Sequence, residues 1–220
     1  MSNSELKLDA KAKLEGKRGN AALVTFIFMI VTGTITTSLG RLDPQSAQYT
    51  LISICGSLIE IFLTLGLTSY YLKISRNEDA EVGELFSKGN IFLKGVVISF
   101  LVALVVGLGC ILLIVPGIIL AFCYSMTTYI LIDNPEVGIT DAMKQSREMM
   151  NGHKMDFFML GLSFVGWYIL SFLTCGILFL YVMPYIYVAT SNFYNQIKDG
   201  GSVVKEEVVE TVDEPKETEE

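Results

Sequence analysis

The placement of positive charge constrains this chain more than any other feature. Of its 16 Lys and Arg residues, five precede the first long apolar run (Lys7, Lys11, Lys13, Lys17, Arg18). Four fall at 73–94 (Lys73, Arg76, Lys88, Lys94), three at 144–154 (Lys144, Arg147, Lys154) and three after the last apolar run (Lys198, Lys205, Lys216); only Arg41 stands apart. Lys and Arg are retained on the cytoplasmic side of a membrane. Clusters separated by long apolar stretches therefore predict an even number of crossings between them. The expected fold is all-α: a polytopic membrane bundle of six transmembrane helices, with both termini cytoplasmic.

Composition agrees. Hydrophobic residues make up 51% of the chain and charged residues only 18%, against about 25% charged in a soluble domain. The net charge of −7 arises in residues 199–220, and the rest of the chain is neutral. No basic patch with interleaved aromatics exists, so nucleic acid is not an expected partner. Cys55, Cys110, Cys123 and Cys175 form no CxxC pair and read as small packing residues rather than a disulfide framework or zinc site. The first apolar run is too long for a leader's core and lacks an A-x-A-like cleavage site, so it reads as a span.

Residues 1–19 read as a basic cytoplasmic segment. Leu6, Leu8, Ala10 and Leu14 form no clean stripe, and contact with anionic lipid is expected of the charges. The six-helix domain covers 20–198, with spans at about 20–39, 49–72, 93–114, 117–132, 156–173 and 177–197. Tyr70 and Tyr71 are expected at headgroup level, and Val82, Leu85 and Phe86 as an apolar turn on the membrane surface. Residues 91–132 hold one charge, Lys94, in 42 residues. As helix that is about 63 Å, twice a hydrocarbon core, so it must fold as two spans and a tight hairpin. The turn lies at Gly107–Gly109 or at Pro116-Gly117; Pro-Gly is the stronger turn signal. Pro135 ends the fourth span. An amphipathic helix over 140–151, capped by Thr140, is expected to lie in the interface, with Ala142, Met143, Ser146, Met149 and Met150 on its apolar face. Pro184 should kink the last span. Residues 199–220 read as a disordered acidic tail.

Several elements in order carry a likeness: Pro116-Gly117, Asp133-Asn134-Pro135, Met150-Asn151-Gly152-His153-Lys154, Gly166-Trp167, Thr174-Cys175-Gly176, Pro184-Tyr185 and Phe193-Tyr194. Together they resemble the bacterial integral membrane family catalogued as domain of unknown function 975. The resemblance implies a multi-pass protein of the bacterial cytoplasmic membrane. It brings no known reaction, ligand or catalytic residue.

Glu60 is the one charged residue deep in a span. A charge at mid-bilayer costs about 2.5–3.5 kcal/mol even on permissive scales. Glu60 is therefore either a proton- or cation-coupled site or a protonated packing residue bonded to Ser57, Thr64 or a hydroxyl on another helix. Arg147, His153 and Lys154 are candidates for a lipid-headgroup pocket. His153 with Asp156 alone is short of ligands for a metal site. Gly166 and Trp167 read as packing at a helix crossing, and Pro116, Gly117, Pro135 and Pro184 as breaks or kinks. No H-E-x-x-H, G-x-S-x-G or Walker-type motif and no intramembrane aspartate pair is present. No catalytic residue, metal or cofactor is expected. The sequence reading is a non-enzymatic scaffold or modulator, with a small solute or proton-coupled transporter component using Glu60 as the alternative. Expected partners are the lipid bilayer and a second copy or another membrane protein; the sequence identifies no small-molecule substrate.

Overall fold

The computed structural model describes residues 3–174 and 176–212, the last twelve as backbone alone. Among the described residues there are ten α-helices, two short 3-10 turns and no strand. The helices are α1 (Asn3–Leu14), α2 (Arg18–Leu39), α3 (Ala47–Ser75), α4 (Phe92–Leu112), α5 (Ile114–Tyr124), α6 (Thr127–Asp133), α7 (Ile139–Met149), α8 (Lys154–Leu162), α9 (Val165–Leu173) and α10 (Phe179–Val212). The 3-10 turns, Val82–Phe86 and Gly89–Ile91, precede α4.

Five stretches are long and apolar enough to cross a membrane: Arg18–Leu39, Ala47–Ser75, Val82–Leu112, Ile114–Asp133 and Lys154–Leu173. The expected sixth run, 177–197, is not among them, because the second half of α10's membrane-length segment carries Thr190, Ser191, Asn192, Asn195 and Gln196. Pro184 lies inside α10 without ending it. The backbone stays helical to Val212, so the expected disordered tail is helical as far as it is described. Lys205, Glu206, Glu207 and Glu210 are good helix formers. Residues 213–220 lie outside the described residues.

Local chemistry explains the spans. In α2 the hydroxyls of Thr32, Thr34, Thr36 and Thr37 donate to carbonyls one turn back, at 3.0, 2.7, 2.9 and 2.7 Å. A Thr-rich helix thus reaches apolar surroundings with no bare hydroxyl. Ser46 caps α3, its Oγ accepting from the Tyr49 N–H at 3.1 Å.

Burial is uneven along the bundle. From Leu65 to Leu72 every residue of α3 is buried, whereas from Ala47 to Glu60 only Gly56 is. The well-packed end is the end where α3, α6 and α10 carry Arg76, Asp133 and Lys198. At the other end Ile30, Leu51, Ile54, Leu104, Leu108 and Ile111 are exposed. Tyr70 and Tyr71 lie in the packed end, 1% and 0% exposed, so both rings are enclosed by protein. The Tyr71 hydroxyl is held by the Thr25 hydroxyl at 2.6 Å and donates to the Ala21 carbonyl at 3.1 Å, so the polar end of this buried ring is satisfied.

Four further expectations are corrected. The N-terminal segment is a packed helix: Leu6, Ala10 and Leu14 are buried while Leu8 is exposed. Residues four apart share a helix face, and including Leu8 hid that stripe. The turn between the third and fourth expected spans falls at Leu113, with φ −162° and ψ 138°, not at 107–109 or 116–117. Pro116 occupies the first turn of α5, where its missing N–H costs nothing. Gly117 instead serves contact, since a Cβ there would stand 2.7 Å from the Cys110 backbone nitrogen. Leu85 is fully buried against α3 rather than on the membrane surface; its carbonyl would lie 2.1 Å from a Cβ at Gly66. Finally, the fifth span is two helices, α8 and α9, interrupted at Ser163-Phe164, where Ser163 Oγ donates to the Leu160 carbonyl at 2.6 Å.

Candidate functional site

The polar centre of the molecule gathers at the packed end. Arg76, immediately after α3, donates from Nη1 and Nη2 to the two carboxylate oxygens of Asp133 at 2.7 and 2.8 Å. Asp133 ends α6. Its Oδ2 also accepts from the Tyr194 hydroxyl at 2.9 Å and from Lys198 Nζ at 2.6 Å, both on α10. Asn195 Oδ1 accepts from Arg76 Nε at 3.2 Å, and its amide donates to Ser75 Oγ at 2.9 Å. Tyr194, Asn195 and Lys198 lie within one turn of α10, so one helix face reaches both partners. The hydrogen bonds to Asp133 hold the Arg76 guanidinium pKa above its ordinary value, outweighing its partial burial. This cluster ties α3, α6 and α10 together.

A second polar contact locks α1 in place. Lys13 Nζ donates to Asn192 Oδ1 at 3.2 Å, and the Asn192 amide donates to the Leu6 carbonyl at 3.4 Å. Lys94 fastens the loop after α6 by donating to the Pro135 carbonyl at 2.6 Å and that of Val137 at 3.3 Å. On α7, Ala142, Ser146 and Met150 are fully buried, whereas Lys144, Gln145, Arg147 and Glu148 are exposed. The two faces are those expected, but the apolar one packs on protein. Ser146 Oγ donates to the Cys123 carbonyl at 2.8 Å and accepts from the Met126 N–H at 3.2 Å, filling the break between α5 and α6. None of these roles for Arg76, Asp133, Lys13, Lys94 and Ser146 was legible as a motif. The pairing of i, i+4 polar residues on α10 was the available signal.

Glu60 stands on the exposed side of α3, beside a cavity of about 310 Å³ bordered by Ser57, Thr64, Ser99 and Thr128. Among the described residues no side chain pairs with its carboxylate, and Ser57 Oγ is engaged with the Ser53 carbonyl at 2.8 Å. Arg147 is exposed on α7, Lys154 opens α8, and His153 Nδ1 lies 3.5 Å from Asp156 Oδ2 with both side chains exposed. Gly152, at φ +86°, makes the left-handed turn before α8. Gly166 admits no neighbouring helix, since a Cβ there would meet nothing within 4 Å. Trp167 instead lines a cavity of about 760 Å³ between the α1–α2 corner and the α9–α10 hairpin. Pro184, Tyr181, Leu14, Lys11 and Arg18 border it as well. Among the described residues no group of three His, Cys, Asp or Glu is placed to hold a metal ion.

Chemically, the ionisable groups of the packed end are engaged in pairs that join helices. Beside the two cavities already described, a third of about 620 Å³ opens at the polar centre, bordered by Lys13, Arg76, Asn192, Asn195 and Lys198. No curated protein and no solved structure matches the chain. One family profile does, over residues 1–123 and 110–200. With nearly its whole length matched, the all-helical chain belongs to the family described as protein of unknown function DUF975.

Proposed function

We propose that this protein is a non-enzymatic scaffold or modulator in the bacterial cytoplasmic membrane, crossing it six times with both termini inside. The observation that carries this reading is the uneven burial of its spans. One end is a tightly packed, ion-paired core. The other presents bare apolar helix faces, including Leu51, Ile54 and Leu58 of α3 and Leu104, Leu108 and Ile111 of α4. In a bilayer such faces meet lipid or another membrane helix, where close packing rather than hydrophobicity selects the partner. The sixth crossing is assigned to α10. It leaves the turn at Gly176 (φ +85°) and returns to Arg76 and Asp133, so α3, α6 and α10 end on one side.

Two experiments test this. A photo-crosslinking residue placed at Leu58 should yield a reproducible adduct with a membrane protein in native cells, while one at buried Leu67 should not; lipid adducts alone at Leu58 overturn the scaffold. Single cysteines replacing Asp43 and Lys144 in a cysteine-free chain should label from opposite sides of the membrane. Labelling from the same side overturns the six-span topology.

Glu60 supports a second reading, a transporter component. A carboxyl beside a hydroxyl-lined cavity suits a proton or small cation. Purified protein in liposomes should then carry a proton or solute flux that Glu60→Gln abolishes. Flux absent from the parent, or unchanged by that substitution, removes this reading.

A further inference from the structure

We propose that the cavity between the α1–α2 corner and the α9–α10 hairpin binds one anionic phospholipid, its acyl chain in the groove and its phosphate between Lys11 and Arg18. The cavity, about 760 Å³, falls within the roughly 300–1,000 Å³ range of ligand sites. Its walls are apolar: Ala22 on α2, Trp167 on α9, Leu178 just before α10, and Leu180 and Pro184 on α10. Two cations, Lys11 and Arg18, border it as well. Gly16, at φ +84°, turns the chain between α1 and α2 and so brings Lys11 and Arg18 to the same groove.

Both cations are exposed. Lys11 has no ion pair among the described residues, and Arg18 has only Glu15 at 4.0 Å and the Tyr181 ring at 5.9 Å from its guanidinium carbon. Arg18 is also the first residue of α2, whose N-cap, Lys17, gives no side-chain cap. The unsatisfied first-turn N–H groups add partial positive charge there. An apolar groove bordered by two exposed cations is complementary to an amphiphile with a negative head. Arg147, His153 and Lys154 border no such groove.

The full-length protein is equilibrated in mixed micelles of detergent with equal phosphatidylglycerol and phosphatidylcholine, and the lipid retained per chain is counted by native mass spectrometry. About one phosphatidylglycerol per chain should survive, with phosphatidylcholine lost. Joint Lys11→Gln and Arg18→Gln should lower that retention about tenfold, as should Ala22→Phe, which fills the groove. Joint Arg147→Gln and Lys154→Gln should leave it unchanged. Because Lys11 and Arg18 are exposed and Gln keeps most of each stem, unchanged circular dichroism separates lost binding from lost fold. Equal retention of both lipids overturns the phosphate site. Retention unaffected by either groove variant overturns the site altogether. A dimer that Ala22→Phe dissociates overturns it in favour of a second copy in the groove. All three readouts are independent of sidedness, so a failed topology and a failed lipid site are told apart.

Discussion

Arg76 and Asp133 meet through two parallel hydrogen bonds, 2.7 and 2.8 Å long, across 57 positions of sequence. The fork geometry of guanidinium and carboxylate makes this the strongest kind of polar contact, and Asp133's side chain is only 11% exposed. Asp133→Asn should therefore leave Arg76 and Lys198 facing each other without their shared anion. We expect a loss of about 3 kcal/mol, measured by denaturant unfolding in detergent. The double variant with Arg76→Gln should lose less than the sum of the single losses. Strict additivity would mean the pair contributes nothing as a pair.

Ser146 gives a sharper local test. Its hydroxyl serves both free backbone groups at the break between α5 and α6, the Cys123 carbonyl and the Met126 N–H. Ser146→Ala leaves both buried and unpaired, at a cost of about 1–3 kcal/mol. Gln145→Ala, on the exposed face one residue away, should stay within about 0.5 kcal/mol. Equal melting temperatures for the two variants would show that water, not Ser146, satisfies the break.

What the sequence made legible and what it hid follow from physical range. Apolar run length and Lys/Arg placement act over tens of residues and need no partner, so the helical class and five of the long apolar stretches could be read directly. Pairings across the bundle cannot. Nothing near Asp133 in sequence says that Arg76 and Lys198 will reach it. The same holds for Leu85, whose burial depends on the missing side chain of Gly66, and for the hairpin at Leu113, where a residue with no turn preference breaks the helix so that Gly117 can pack on Cys110. At Gly166-Trp167 a small residue beside a large one signals a helix crossing, yet no helix lies against Gly166.

Two glycines should therefore respond in opposite ways. At Gly66 a methyl group would stand 2.1 Å from the Leu85 carbonyl oxygen, so Gly66→Ala must push the Val82–Phe86 turn away from α3. A loss of about 1–3 kcal/mol is expected, as for other overpacked sites. At Gly166, the second residue of α9, the same change meets open space and relieves part of the helix cost of glycine, gaining about 0.5 kcal/mol. Paired thermal melts read both signs, and destabilisation by Gly166→Ala would place an unseen neighbour on α9.

The last prediction concerns α1, where two leucines one half-turn apart have opposite environments. Leu6 is 1% exposed and Leu8 is 68% exposed. Leu6 packs where α1 crosses α10, next to the Asn192 amide that bonds its carbonyl. Leu6→Ala should cost about 2–4 kcal/mol by transfer and cavity formation and should speed proteolysis before Arg18, because α1 is held chiefly by Leu6, Ala10 and Leu14. Leu8→Ala should leave both stability and cleavage rate close to those of the parent. Limited trypsin digestion of the detergent-solubilised chain distinguishes the two. If both variants release the N-terminal segment at the parent's rate, α1 is not docked in the bundle, and the Lys13–Asn192 contact cannot be what positions it.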